Sequence, residues 1–268
     1  MIHLATRVGS VRRPMPFTCP GLGDMLHQCR VGYSYHKKMN DAVTLHMTEN
    51  KCNRDKPEKW KNIMKLFPKD SINLRFHSID TYNEKEWITY LREKQGLNTV
   101  KTFYYGKHLG GPLEIENIKN IKEHCVDADS FLYYPQLQSI DYSDKIELPE
   151  NFITMQGVSG GNCARSINES HIEKLKEIYK AQGYQIVMLG AGNTNPLLEG
   201  PESIPYIGYI LSKAKLHVGI DSGFLHFAEL YLKPEQIHLY AKRRPEYWKN
   251  IMNPTHHVYR SVASGVRH

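Results

Sequence analysis

Short apolar runs separated by longer polar stretches recur along the chain. In the first half the apolar runs predict strands, and the polar stretches between them have the composition of helices. The predicted strands are Ile2 to Thr6, Ala42 to Met47, Ile72 to Phe76 and Thr99 to Tyr104. The predicted helices are Lys56 to Leu66 and Asn83 to Glu93, the second with a buried stripe formed by Trp87, Ile88 and Leu91.

The second half alternates more regularly. Its predicted strands are Phe152 to Met155, Gln185 to Leu189, Leu216 to Ile220 and Gln236 to Tyr240. Its predicted helices are Asn168 to Gln182, Ile204 to Ala214 and Phe224 to Leu232. In the first of these helices one face is predicted to carry Ile172, Leu175, Ile178 and Tyr179, and Gly183 follows as the residue that ends the helix.

Strands that alternate with helices predict right-handed crossovers and mainly parallel sheets. We therefore expect an α/β protein of two Rossmann-type lobes that face a central cleft. The pattern loosens from Gly106 to Glu150, which places the connection there and predicts domains at residues 1–148 and 149–268. Ligand sites in such sheets lie beyond the carboxyl ends of the strands, so function is expected in the loops that follow them.

The composition is typical of a soluble globular protein. The 268 residues are 40% hydrophobic, and no apolar run approaches the roughly 20 residues that a membrane helix needs. Five cysteines without a C-x-x-C pair favour neither a disulfide framework nor a zinc site. Without a signal-peptide pattern at the start, the expected location is the cytoplasm. A net charge of +7 favours an anionic partner, although many enzymes are equally basic.

The strongest motif is an apolar strand that leads directly into Asp221, Ser222 and Gly223 and then a helix. Backbone N–H groups at such a junction favour a phosphate or sugar oxygen. His226 follows Gly223 by about one helical turn and would face the same pocket. The alternative is a purely structural junction, with an ordinary N-cap and a histidine packed against the sheet.

A second motif, Pro20-Gly21-Leu22-Gly23-Asp24, follows the first predicted strand and opens a helix. Gly23 would permit close approach of a ligand, and the Asp24 carboxylate could take a proton from an attacking hydroxyl. An N-capping role for Asp24 is the alternative. The motif is neither G-x-G-x-x-G nor a P-loop, which disfavours ATP hydrolysis.

A third motif joins the first strand of the second lobe to its helix. It supplies Gly157, Ser159, Gly160 and Arg165, and the Arg165 guanidinium could neutralise a leaving diphosphate. The alternative is a solvent loop with a surface arginine. Gly190 and Gly192 in the next loop could approach a nucleobase or ribose.

Together these loops resemble the heptosyltransferase-like glycosyltransferases of family nine, which have the GT-B fold. The resemblance rests on Leu22-Gly23-Asp24-Met25-Leu26-His27 and on the Asp-Ser-Gly-x-x-His pattern at 221–226. It implies that Asp24 is the general base and that the 221–226 segment holds the donor. Arg165 stands in for a basic family residue, although its surroundings differ.

The resemblance further implies an inverting transfer from a nucleotide-sugar co-substrate, with no bound metal and no other cofactor. Asp127-Ala128-Asp129 has the spacing of a metal-binding Asp-x-Asp motif but lies in a polar segment, which favours a surface position. The sequence does not indicate the donor sugar or the oligomeric state.

The predicted acceptor depends on basic and aromatic residues of the first lobe. These are Arg12, Arg13, Tyr35, Lys37 and Lys38. Basic residues interleaved with aromatic ones suit nucleic acid, although a solvated face with packed tyrosines has the same pattern. A compact basic glycosyltransferase also resembles the phage enzymes that glycosylate a hydroxymethylated DNA base, which would act in the host cytoplasm on a flipped base.

Two further classes stay open. Heptosyltransferase-like transfer to lipopolysaccharide or a cell-surface glycan is the alternative within the same chemistry. A non-catalytic nucleotide-sugar or nucleic-acid binding module is the alternative outside it. A Rossmann-type oxidoreductase is disfavoured because the dinucleotide fingerprint is missing.

Overall fold

A computed structural model describes most of the chain. The described residues are 1–5, 22–49, 57–81, 83–97, 101–102, 137–159, 166–220, 222–241, 257–262 and 265–266. The chain divides into two compact units, Met1–Tyr133 and Tyr134–His268. The segment that begins at Leu137 belongs to the second unit, where the Leu137 N–H donates to the Leu230 carbonyl at 2.7 Å.

The first unit is built on a parallel sheet, here called the first sheet. Its elements are β1 (Ile2–Ala5), α1 (Leu22–Met39), β2 (Val43–Thr48), α2 (Pro57–Met64), β3 (Ile72–His77), α3 (Glu84–Thr89) with a π-helical turn at Tyr90–Lys94, and β4 (Lys101–Thr102). The described strands lie in the order β3-β2-β1-β4. That order is one half of a Rossmann sheet, since the chain crosses over from β3 to the far side of β1.

The second unit carries the second sheet. Its elements are β5 (Phe152–Gln156), α4 (Glu169–Ala181), β6 (Gln185–Met188), α5 (Ser203–Lys213), β7 (His217–Gly219), α6 (Gly223–Ala228), β8 (Ile237–Ala241), β9 (His257–Val262) and β10 (Gly265–Val266). The described strands lie in the order β10-β9-β8-β7-β5-β6. All neighbours pair in parallel except β9 and β10, which are antiparallel.

The sequence predictions match these elements closely. Every predicted strand and helix coincides with an observed one, with end points that differ by a few residues. The exceptions are the last helix, which ends at Ala228 instead of Leu232, and the strands β9 and β10, which the sequence did not indicate.

The buried stripes confirm the helical spacing with one correction. Trp87 and Leu91 pack with Ala5 in the first unit, and Ile88 lies partly buried against them. On α4, Ile172, Leu175 and Tyr179 enter the core of the second unit. Ile178 was predicted to share this face, but it is 37% exposed because 100° per residue carries it past the edge of the stripe.

Asn168 begins α4 as its N-cap, accepting from the His171 N–H at 2.9 Å, and Gly183 follows its end with φ of +86°. No described helix is long and apolar enough to cross a membrane.

Replacing Leu175 tests the assignment of the α4 core face. Because Leu175 is 1% exposed, Leu175→Ala should lower the free energy of unfolding by about 2–5 kcal/mol, through lost burial and a cavity. Ile178→Ala, on the same helix, should change it by only ~0.5 kcal/mol. Urea denaturation of both variants measures the difference, and equal losses would contradict the assigned face.

Candidate functional site

Three loops of the second unit meet at the carboxyl edge of the second sheet. They follow β5, β6 and β7, which are neighbouring strands in the order β7-β5-β6. Because the strands are parallel, their carboxyl ends lie side by side, and the backbone and side chains that follow them converge. The loops contain the predicted donor-binding residues Gly157, Ser159, Gly190, Gly192, Ser222 and Gly223.

Gln156 links two of these loops. It is the last residue of β5, and its Oε1 accepts a short hydrogen bond from Ser222 Oγ. Its Nε2 donates to the Val158 carbonyl at 2.8 Å, so both ends of the amide are used. Gln156 was not among the residues predicted from the sequence to bind the donor. A polar residue at the end of the apolar run Phe152–Gln156 was the available signal.

Ser222 also begins α6. Its Oγ accepts from the Phe224 N–H at 3.2 Å, which is the N-cap geometry that the structural interpretation of this motif predicted. The helix has only six residues, so its dipole is weak and one of its first N–H groups already has a partner. The binding predicted at this junction would therefore depend on the meeting of the loops more than on the helix terminus.

The loop after β6 approaches both of the others. Gly190 has φ of +71°, and a Cβ atom there would lie 3.4 Å from Phe224 Cε2 and 3.9 Å from Gln156 Cγ. A side chain would be strained in this conformation and would occupy the space between the loops. The Asn193 N–H donates to the Gly190 carbonyl at 3.0 Å and closes the turn.

The loop after β5 is fixed at both of its described ends. The Ile167 N–H donates to the Gly157 carbonyl at 2.9 Å, and the Ser159 N–H donates to Ser166 Oγ at 2.9 Å. Gly157 packs directly on α4, since a Cβ atom would lie 2.4 Å from Ile172 Cδ1. Glycine at 157 thus serves helix-to-strand packing, a role in addition to the predicted contact with a ligand.

His226 lies beside a carboxylate. Its ring is 7% exposed, and its Nδ1 lies 3.3 Å from Oε2 of Glu229, which is 1% exposed. The two side chains are three residues apart in sequence, which places the carboxylate beside this face of the ring. Glu229 was missed from the sequence, although a spacing of three residues on a helix indicates such a contact.

A neutral imidazole lies beneath the site. His217 of β7 is fully buried, and burial lowers its pKa to about 3. Thr154 Oγ1 lies 3.3 Å from the Leu216 carbonyl, to which it donates, and 3.0 Å from His217 Nδ1. The threonine hydroxyl thus contacts both the carbonyl and the imidazole. This pair ties β5 to β7 below the loops.

A cavity of about 300 Å³ adjoins the loop after β6. Its walls include β6, Gly192, Asn193 and Asn195. The Asn195 N–H donates to Asn193 Oδ1 at 2.9 Å, and Asn195 Oδ1 accepts from the Leu197 N–H at 3.0 Å, so the polar wall is rigid. A cavity of this size lies at the lower end of the range for small-molecule sites.

Several predicted residues of the first unit lie in positions that the sequence did not indicate. Gly23 and Asp24 lie in the first turn of α1, so the helix begins earlier than the glycine-rich loop suggested. Lys37 is exposed. Tyr35 is 5% exposed, so its ring is not presented to solvent as base stacking requires. The neighbouring Tyr33 is also buried and stacks on His36 at 5.8 Å.

Some predicted residues lie outside the described part of the chain. They are Arg12, Arg13, Gly160, Arg165 and Asp221, together with the Asp-x-Asp segment and the side chains of Asp24 and Lys38. Their assigned roles stay predictions. Among the described residues, no group of three or more histidine, cysteine or acidic side chains is arranged to hold a metal ion.

Replacing Gly157 tests the packing of the first loop. The added methyl group of Gly157→Ala would collide with Ile172 Cδ1 and Cγ1, at 2.4 and 2.6 Å, and should cost about 1–3 kcal/mol of stability. Ile172→Ala removes both atoms. In a double-mutant cycle measured by urea denaturation, the double variant should therefore lose less than the sum of the single losses. Strict additivity would contradict the contact.

Replacing Ser222 tests the link between the loops. Ser222→Ala removes the N-cap of α6 and the donor to the buried Gln156 amide, and should cost about 1–3 kcal/mol. Ser170→Ala, an exposed serine of α4, is the matched control and should cost far less. Thermal unfolding measures both variants. Equal melting temperatures would show that the link contributes nothing.

No family model matches the sequence, and no curated protein matches it. Solved structures do. The chain is similar to E. coli ADP-heptose lipopolysaccharide heptosyltransferase II, with a TM-score of 0.55 at 13% identity over 99% of this chain and 92% of that one. It is also similar to a family 9 glycosyl transferase of Veillonella parvula, with a TM-score of 0.50 at 12% identity over 91% and 83%.

A third similar structure is the iron-containing dodecameric glycosyltransferase TibC of enterotoxigenic E. coli. The TM-score is 0.50 at 14% identity, and the match covers 98% of this chain but only 63% of TibC. At such identities the likeness concerns the fold. The predicted fold class is thereby confirmed: the chain is an α/β protein with the GT-B-like fold of these glycosyltransferases.

Proposed function

We propose that this protein is a glycosyltransferase that binds a nucleotide sugar at the carboxyl edge of the second sheet. The observation that carries the proposal is the convergence of the loops after β5, β6 and β7, fixed by the Gln156–Ser222 hydrogen bond. Gly190 and Gly223 leave backbone accessible there, and N–H groups of such loops suit diphosphate oxygens. The cavity beside Asn193 has a size suited to part of the nucleoside.

The proposed reaction is a single displacement. The acceptor hydroxyl oxygen bonds to the anomeric carbon while the bond from that carbon to the diphosphate oxygen breaks, so the configuration inverts. Asp24 takes the hydroxyl proton. Arg165 and the loop N–H groups stabilise the negative charge that develops on the departing nucleoside diphosphate. Asp221 and the His226–Glu229 pair position the donor sugar. No metal ion takes part in this mechanism.

A saccharide is the proposed acceptor, in place of the modified DNA base that the sequence favoured. The similar structures are named as a lipopolysaccharide heptosyltransferase and as TibC in complex with ADP-D-beta-D-heptose. The DNA hypothesis, in contrast, depended partly on stacking by Tyr35, which is buried. ADP-heptose is therefore the first donor to test, with lipopolysaccharide core as the first acceptor.

The test combines donor binding with turnover. The protein is titrated calorimetrically with ADP and ADP-heptose, and transfer is assayed to lipopolysaccharide core, hydroxymethylated DNA and unmodified DNA. We expect binding of both nucleotides and transfer to the saccharide. Transfer only to hydroxymethylated DNA would restore the DNA acceptor. Binding without turnover would favour a non-catalytic module, and failure of a full panel of nucleotide sugars to bind would overturn the proposal.

Asp24→Asn tests the general base. Loss of the base should lower kcat by about 10²–10⁴-fold with little change in the donor Kd, because the amide cannot accept the proton. Asp144→Asn, at an exposed aspartate of the second unit, is the control and should retain full activity. Retention of full activity by Asp24→Asn would exclude this residue as the base.

A further inference from the structure

Three histidines form a hydrogen-bonded chain across one face of the first sheet. His3 of β1, His46 of β2 and His77 of β3 lie on adjacent strands. His3 Nδ1 is 2.9 Å from His46 Nε2, and His46 Nδ1 is 2.8 Å from His77 Nε2. His46 and His77 are buried, and His3 is partly exposed at one end. The proposed reaction uses none of them.

The number of hydrogens that this chain can hold is limited. Each N···N contact needs one hydrogen, and at 2.8–2.9 Å it has no room for two. The two outer nitrogens, Nε2 of His3 and Nδ1 of His77, can each carry one more. Three neutral rings bring three hydrogens, so the intact chain can accept one extra proton. A second extra proton must place two N–H groups against each other and break a contact.

The surroundings oppose protonation. Burial lowers the pKa of all three rings, that of His46 to about 4. Among the described residues, the charged groups that act on the three rings are the Met1 ammonium on His3, Arg75 of β3 on all three, and Glu49 after β2 on His77. Of these groups only Glu49 favours a cation. The helix side contributes the neutral rings of Trp87 and Tyr90.

The three histidines pack against α3 and its π-helical turn through His77. The His77 ring lies edge-on to Trp87 at 5.5 Å and to Tyr90 at 5.8 Å, and Trp87 packs with Leu91 on Ala5. Breaking the contact at His77 would therefore disturb the face on which residues 84–94 are docked. The end of β3 at His77 is also bonded to the loop after β2, since the Glu49 N–H donates to the His77 carbonyl at 2.9 Å.

We propose that the His3–His46–His77 chain is a pH-sensitive clasp. It holds residues 84–94 against the first sheet while it carries at most one extra proton, and a second proton opens it.

The direction of the pH effect follows from the pKa shifts. In the folded protein the three histidines take up protons at lower pH than in the unfolded protein, where histidines titrate near 6.5. The unfolded or opened form therefore binds more protons between about pH 6.5 and pH 4, and the closed form loses stability as the pH falls through this window.

Hydrogen exchange of the full-length protein tests the clasp. Protection of residues 84–94, corrected for the intrinsic pH dependence of exchange, should fall about tenfold or more between pH 7 and pH 4.5 in the wild type. In His46→Gln, protection should change little over this range, because the amide can donate or accept at either contact and does not titrate. His36→Gln, in the same unit but outside the series of three histidines, should behave as the wild type.

Equal pH responses of His46→Gln and the wild type would overturn the proposal. If His46→Gln does not fold, His3→Gln at the partly exposed end replaces it, with the same expectation and the same contradicting result. Ring ¹⁵N spectra of the wild type provide a measurement without substitution. One ring cation in the protected state supports the clasp, and two ring cations with residues 84–94 still protected would overturn it.

Discussion

The candidate site depends on the hydrogen bond that joins Ser222 Oγ to the Gln156 side chain. Gln156 ends β5 and Ser222 precedes α6, so this bond connects two segments that are 66 positions apart in sequence. In this bond the Ser222 hydroxyl donates its hydrogen to a residue of the sheet. The same oxygen accepts from the Phe224 N–H and so caps α6. Gly190 can then approach both segments, and the three loops become one surface.

Some polar side chains in the cores of both units are partners of one another. In the second unit Thr154 and His217 pair across β5 and β7, directly below the loops. In the first unit the chain of histidines spans β1 to β3. A buried polar group without a partner costs about 1–3 kcal/mol, so such pairs also fix the register of the strands that carry them. The site loops are thus supported by strands whose relative positions are specified.

The change of proposed acceptor illustrates what a pattern of residue types leaves open. Tyrosines interleaved with lysines are compatible with nucleic-acid stacking and with ordinary packing, because the sequence does not state which way each ring points. Tyr33 and Tyr35 are both buried although they lie about 200° apart around α1, and Lys37, one turn after Tyr33, is exposed. Burial of both rings by the surrounding fold, and not the helical spacing, removes the stacking surface that the interleaved pattern suggested.

The sequence by itself determined the order of the strands and helices along the chain, the two-unit α/β class and the loops that are predicted to bind a ligand. Local periodicity and the turn chemistry of residues such as Asn168 and Gly183 are sufficient for this, because each is settled within a few neighbouring residues. Only the tertiary structure decided that Gln156 bridges to Ser222, that Glu229 lies beside His226, and that three histidines from separate strands form one chain. These contacts depend on strand order and register, which bring together residues that no local pattern relates.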